Sequence, residues 1–216
     1  IDVRKIFPIT RLSDKDFSLK IEAQVDSPTV PPFVDAERTV SVASLEAKVT
    51  GLVTVDVKPY FRDAASGILN SGPMPPKVNT PTQYTIHWVV KNYGTDVAQV
   101  EVRAFLLSGV RGTGVAKSNI ETAPVYNERT QEMIWTIPKI QATRGVISEP
   151  LEGIFQIEAL PAVNQEGKLM QLIGETTVSA HDLFTDTMLL YKTRDVDTTL
   201  NENDPTVGNE DSKVQP

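Results

Sequence analysis

The stretch Thr82 to Leu106, TQYTIHWVVKNYGTDVAQVEVRAFL, constrains the fold of this chain more than any other. Tyr84, Ile86, Trp88 and Val90 alternate with Thr85, His87, Val89 and Lys91, so an extended strand carries one uniformly apolar face. Asn92-Tyr-Gly-Thr-Asp96 then offers turn chemistry, with Gly94 free to take positive φ. Val100, Val102 and Ala104 next alternate with Gln99, Glu101 and Arg103. The pair predicts an antiparallel hairpin with an aromatic face buried and a polar face wet.

The same period of two recurs along the chain. Phe17, Leu19, Ile21 and Ala23 alternate with polar neighbours. Pro28 and Pro31-Pro32 break the next stretch into a loop, since proline has no amide for a ladder. Val40, Val42 and Val49 to Val57 read as further strands, with a kink at Thr50-Gly51. Met133, Trp135 and Ile137 alternate up to Pro138, Ile154 to Leu160 ends at Pro161, and two more strands span Leu169 to Ala180 and Met188 to Thr193. Gly109 to Glu121 reads as a long loop. With 15 prolines against 12 glycines, and no window of 3.6 period, short punctuated strands are favoured over helices. About seven short strands with polar outer positions predict an all-β, immunoglobulin-like antiparallel β-sandwich.

Composition excludes several function classes. The net charge is −7 and no Lys/Arg cluster exceeds two adjacent residues, so the basic stripe that nucleic acid requires is missing and no such partner is expected. No apolar run approaches the roughly 20 residues of a membrane span. The 216 residues contain no cysteine, which removes disulfides, thiolate catalysis and cysteine metal sites. The chain starts at Ile1 with no signal-peptide pattern and reads as a piece of something longer.

Asp63 to Pro76, DAASGILNSGPMPP, loses the alternation and reads as a linker. It divides the chain into a partial or variant sandwich repeat at 1–62, the linker at 63–76 and a complete sandwich at 77–200. Residues 201–216, poor in apolar side chains, read as a disordered acidic tail or exit linker. Ile21-Glu22-Ala23 recurs as Ile157-Glu158-Ala159. After 13 intervening residues the first copy gives ERTVSVASL (Glu37 to Leu45), and after 15 the second gives ETTVSAHDL (Glu175 to Leu183). Tandem copies, the first partial, are the expectation. Residues 1–62 then lean on the intact domain, are cut short, or form a smaller complete variant.

The run YTIHWVVKNYGTDVAQVEVRAFLLSGV, with IWTIPKI and FQIEAL after it, resembles a family. It is similar to the conserved-repeat, immunoglobulin-like domain of unknown function found in tandem in bacterial and archaeal surface proteins. The carrying residues are Tyr84-Thr-Ile, Asn92 to Asp96, Val100 to Leu107, Gly109-Val110 and Trp135 to Ile140, over roughly residues 73–165. Leu107-Ser108 replaces the family's Leu-Pro, and Pro138 stands where a Gly is usual. The resemblance implies an extracellular, cell-surface or cell-wall location and a spacer or adhesive role. It carries over no catalytic residue.

Few residues are candidates for chemistry. His87 falls on the polar phase of its strand and reads as solvated. His181 beside Asp182, two residues after Ser179, cannot form a nucleophilic relay, because successive strand residues point to opposite faces. No Gly-x-Ser-x-Gly elbow is present. Asp182, Asp186, Asp195 and Asp197 are the candidate metal ligands, since calcium takes several loop oxygens. No dense Asp run supports them, and solvated surface acids are the competing reading. Trp88 and Trp135 read as core rather than sugar platforms. Recognition, if any, is placed on the loops Gly109 to Glu121 and Val163 to Lys168. The expected role is a non-enzymatic structural, spacer or assembly module of a bacterial surface protein without a cofactor. Its partners are expected to be neighbouring repeats, other surface proteins or glycans. The alternative is an adhesin-like or carbohydrate-binding module using the sandwich end loops.

Overall fold

A computed structural model describes residues 9–30, 33, 35 and 38–216; the Pro31-Pro32 break and Glu37 of the repeat lie outside the described residues. The strands are β1 (Ser18–Ser27), β2 (Thr39–Lys48), β3 (Val53–Tyr60), β4 (Thr82–Asn92), β5 (Val97–Phe105), β6 (Val110–Ser118) and β7 (Val125–Asn127). They continue as β8 (Glu132–Ile140), β9 (Leu151–Ala159), β10 (Gln171–Ile173), β11 (Thr177–Asp182), β12 (Thr187–Lys192) and β13 (Val196–Asp197). A four-stranded sheet β3-β4-β9-β6 faces a five-stranded sheet β12-β11-β5-β8-β7, and all their pairings are antiparallel. This is the all-β sandwich that the alternation predicts. Its core interleaves Tyr84, Ile86, Trp88, Phe155 and Ile157 from one sheet with Val100, Val102, Trp135, Ile137 and Val178 from the other. Trp88 meets Phe155 edge-on, with ring centroids 4.8 Å apart.

Several expectations need correction. β4 and β5 are not a hairpin. β4 pairs with β3 and β9, whereas β5 pairs with β8 and β11, so the turn at 93–96 is an arch between opposing sheets. Two apolar faces so close in sequence bury equally well side by side or face to face, and here they face each other. Buried Asn92 holds the arch, its side-chain amide donating to the carbonyls of Thr95 (2.7 Å) and Gln141 (3.0 Å).

Residues 1–62 do not end before the sandwich begins. β3 is an edge strand of it, in register from Val53 opposite Asn92 to Tyr60 opposite Thr85. The supposed linker at 63–76 lies across the outer face of that sheet as a strap. Asn70 donates to Thr85 Oγ1 (2.8 Å) and to the Phe61 carbonyl (2.9 Å), and Gln156 donates to Asn70 Oδ1 (2.9 Å). The segment Gly109 to Glu121 contains a strand, β6, paired with β9 across an irregularity between Gly112 and Ala116.

Residues 201–216 are not a disordered tail. Val207 and Val214 join the core, and the Gln215 amide donates to the Pro76 carbonyl (2.7 Å). Buried Asp204 accepts the amides of Phe61 (3.1 Å) and Arg62 (2.7 Å), so one carboxylate substitutes for the apolar area the segment lacks.

β1 and β2 form a two-stranded ribbon outside the sandwich, from Ser18 opposite Lys48 to Ser27 opposite Thr39. The sequence repeat does not become a repeat of pairing. β1 hydrogen-bonds to β2, while β9 and β11, which carry the second copy, sit in opposing sheets.

Candidate functional site

β4 is buried on both faces, because the strap covers the phase that reads as wet. Its polar-phase residues Thr85 and His87 therefore become interior groups, and His87 is 7% exposed rather than solvated. The ring lies between two carboxylates, with Nε2 2.7 Å from Asp63 Oδ2 and Nδ1 2.8 Å from Glu152 Oε1. Asp63 comes from the strap, His87 from β4 and Glu152 from β9, so the cluster pins the strap to the sheet. Burial by itself would raise the Asp63 carboxyl, but the Ser66 hydrogen bonds and His87 outweigh it and hold it below the ordinary carboxylate value. Lys117 of β6 adds a further latch by donating to the Ser66 carbonyl. Beside them a cavity of about 420 Å³ is lined by Tyr60, Ser66, His87, Lys117 and Glu152. The Tyr60 ring tilts against His87 at 4.8 Å.

This cluster is not arranged for acyl transfer. Both ring nitrogens of His87 are engaged by carboxyl oxygens, so neither faces a hydroxyl. The neighbouring hydroxyls are engaged, Ser66 Oγ with the Asp63 carbonyl and Ser118 Oγ with the carbonyls of Ile120 and Thr122. His181 bonds to Asp186 (2.9 Å), while adjacent Asp182 is fully buried.

The four candidate calcium aspartates do not share a site. Asp182 and Asp186 lie at the turn joining β11 to β12, whereas Asp195 and Asp197 lie beyond the other end of that strand pair. Asp182 Oδ2 accepts the Gly51 amide (2.8 Å), and its Oδ1 accepts those of Phe184 (2.9 Å) and Thr185 (3.2 Å). Asp197 accepts the Thr199 amide at 2.8 Å. Among the described residues, no group of three or more His, Asp or Glu side chains is placed to hold a metal ion. Trp88 and Trp135 are both fully buried, and the Trp135 indole donates to the Thr122 carbonyl at 2.9 Å.

The other feature that alternation alone does not reveal is the ribbon. In β1, Leu19, Ile21, Ala23 and Val25 share one face; opposite them on β2 are Ala47, Leu45, Ala43 and Ser41. Ile21 is 55% exposed, Val25 65% and Leu45 64%, so this apolar face is open. The ribbon is rooted at the arch end of the sandwich: Lys48 donates to the Phe184 carbonyl (2.8 Å), and the Asp16 amide to the Gly94 carbonyl (2.7 Å).

No family model matches the chain, and no curated protein matches it. Among solved structures it is similar to a crystal structure of BcpA, the major pilin subunit of Bacillus cereus. That likeness has 13% identity and a TM-score of 0.42 over 71% of this chain and 44% of that one. It is also similar to the full-length major pilin SpaD of Corynebacterium diphtheriae, with 13% identity, TM-score 0.40, and 66% and 35% covered. A third likeness is to the C-terminal domain of the Streptococcus agalactiae AgI/II polypeptide BspA, with 13% identity, TM-score 0.38, and 82% and 58% covered. The chain thus spans between about a third and three fifths of those chains. Likeness at these levels carries no assignment, and the fold rests on its strand order and register.

Proposed function

We propose that this chain is a non-enzymatic structural module of a bacterial surface protein, acting as a spacer or assembly unit. The observation that carries this reading is the use made of its buried carboxylates. Asp63 pins the strap, Asp182 clamps the ribbon root to the β11–β12 turn, and Asp204 secures the C-terminal segment. Charge-assisted bonds to backbone amides stiffen junctions between segments, which is what a spacer under tension needs. The sequence resemblance to tandem surface-protein repeats supports the extracellular location. Among the described residues, no helix is long and apolar enough to cross a membrane.

A second reading, as an adhesin-like or carbohydrate-directed module, is favoured by the cavity beside the strap, where Lys117, Glu152 and Tyr60 offer charged and aromatic contacts. Exchange of residues 49–216 for an unrelated sandwich of equal length in the protein displayed on its cell separates the two. Retained surface display and assembly support the spacer. Loss of glycan binding in the exchange, reproduced by Lys117→Ala or Tyr60→Ala alone, overturns it in favour of recognition.

A further inference from the structure

A lone two-stranded ribbon with an open apolar face is at best marginally stable in water. Here it is ten residues long on each strand, and neither outer edge pairs with another strand among the described residues. Each such edge offers a row of unpaired amides and carbonyls as a template for a further strand. The residues along the two edges decide which template is usable.

We propose that the β1 edge is a self-association surface, on which a second copy of this chain adds its own β1 antiparallel about a two-fold axis through Ala23. In that register Ile21 stands opposite Val25 of the second copy, and Val25 opposite its Ile21, so the apolar faces run on without a break. On the polar face Lys20 stands opposite the partner's Asp26 and Asp26 opposite the partner's Lys20. Both charge pairs are complementary, and residues 19 to 27 are all paired. The result is a four-stranded intermolecular sheet, β2-β1-β1-β2, with isologous symmetry.

Neighbouring registers and the other edge match over fewer residues, oppose like charges or set charges against apolar residues. Moving the axis to Glu22 sets that carboxylate against its own copy. On β2, an axis through Ala43 brings Arg38 against the partner's Lys48, and an axis through Ser44 sets Lys48 against Val40 and Glu46 against Val42; an axis through Val42 does set Arg38 against Glu46, but it pairs only residues 39 to 45 of the strand. Like charges directly opposite one another disfavour a pairing. Within the ribbon, Lys20 already leans to Glu46 (3.6 Å) and Asp26 to Arg38 (3.0 Å). These pairs are exposed, so the charges stay available to a neighbour.

The inference rests on the assembly role proposed for the chain and names its partner. Sedimentation of the full chain at low salt should show concentration-dependent dimers. Lys20→Asp alone and Asp26→Lys alone each put two like-charge pairs across the axis and should raise the dimer dissociation constant by about tenfold or more. An equimolar mixture of the K20D and D26K chains restores complementarity at both pairs and should recover wild-type affinity as a heterodimer. Because the chain contains no cysteine, Ala23→Cys reports the axis directly. Facing residues of paired strands lie within disulfide reach, so A23C should cross-link on oxidation. Ser44→Cys, one strand further from the axis, should not. A wild-type chain that stays monomeric across the accessible range overturns the pairing but leaves the spacer reading to the exchange experiment. Equal cross-linking of A23C and S44C, or failure of the mixture to recover affinity, overturns it too.

Discussion

Asp182→Asn probes the clamp on which the ribbon root depends. Asp182 is fully buried, and its two oxygens accept three backbone amides, from Gly51, Phe184 and Thr185. Asparagine keeps one acceptor oxygen. If that oxygen serves Phe184 and Thr185, the side-chain NH₂ faces the Gly51 amide, donor against donor. If it serves Gly51, the other two amides lose their acceptor. A bond to a charged group is worth about 1.5–3 kcal/mol, and a buried donor left unpaired costs about 1–3 kcal/mol, so a loss of about 2–4 kcal/mol is expected at pH 7. Urea unfolding monitored by fluorescence of the buried Trp88 and Trp135 measures it. The effect also has a pH signature. Burial alone would raise the Asp182 carboxyl, but the three amides outweigh it and hold it below its ordinary value. A depressed folded-state pKa gives stabilisation that is complete above the unfolded value, about 3.9, and is lost as pH falls through the folded value. The gap between wild type and D182N should therefore be constant above about pH 5 and close at lower pH. A gap under about 0.5 kcal/mol at pH 7, or one that persists unchanged under acid, would show that the Asp182 carboxylate does not clamp the ribbon root.

Gly51→Ala should also destabilise the ribbon root, because the added Cβ would fall 2.0 Å from Thr95 Oγ1, and a lower thermal midpoint is the readout. Trp88→Ala empties the centre of the core and should cost about 3–5 kcal/mol in denaturant titrations, whereas a surface sugar platform would leave stability nearly unchanged. Asp204→Asn should release residues 201–216 to limited proteolysis while residues 82–159 stay resistant. His87→Ala removes the shared partner of Asp63 and Glu152, leaves Asp63 buried with Ser66 as its remaining support, and should speed amide exchange in the strap at 63–72.

Period-two alternation makes the sandwich legible, since it reports which face of a strand is buried. It does not report which sheet the strand joins, so β4 and β5 read as a hairpin although a short arch carries the chain between sheets. The polar phase of β4 misleads for a related reason. Thr85 and His87 are covered by Asp63, Ser66 and Asn70, whose polar, turn-forming types in a Gly- and Pro-rich segment look like a linker. Val89, an apolar residue in the supposedly wet phase, is the local sign that this face is covered. Residues 201–216 bury few apolar groups and are held by Asp204, a tertiary contact that composition does not encode. The candidate calcium aspartates are indistinguishable in sequence, and only their partners separate a clamp such as Asp182 from exposed acids.

One sandwich runs from β3 to the C-terminus with the β1–β2 ribbon outside it. Amide hydrogen exchange at protein concentrations below dimerisation is the decisive check of that arrangement. β4, paired on both edges and buried on both faces, should exchange among the slowest. Val53–Tyr60 should share the protection class of its sheet, with Ser18–Ser27 and Thr39–Lys48 exchanging far faster. Val53–Tyr60 exchanging together with the ribbon, as part of a separate N-terminal unit, would overturn that arrangement.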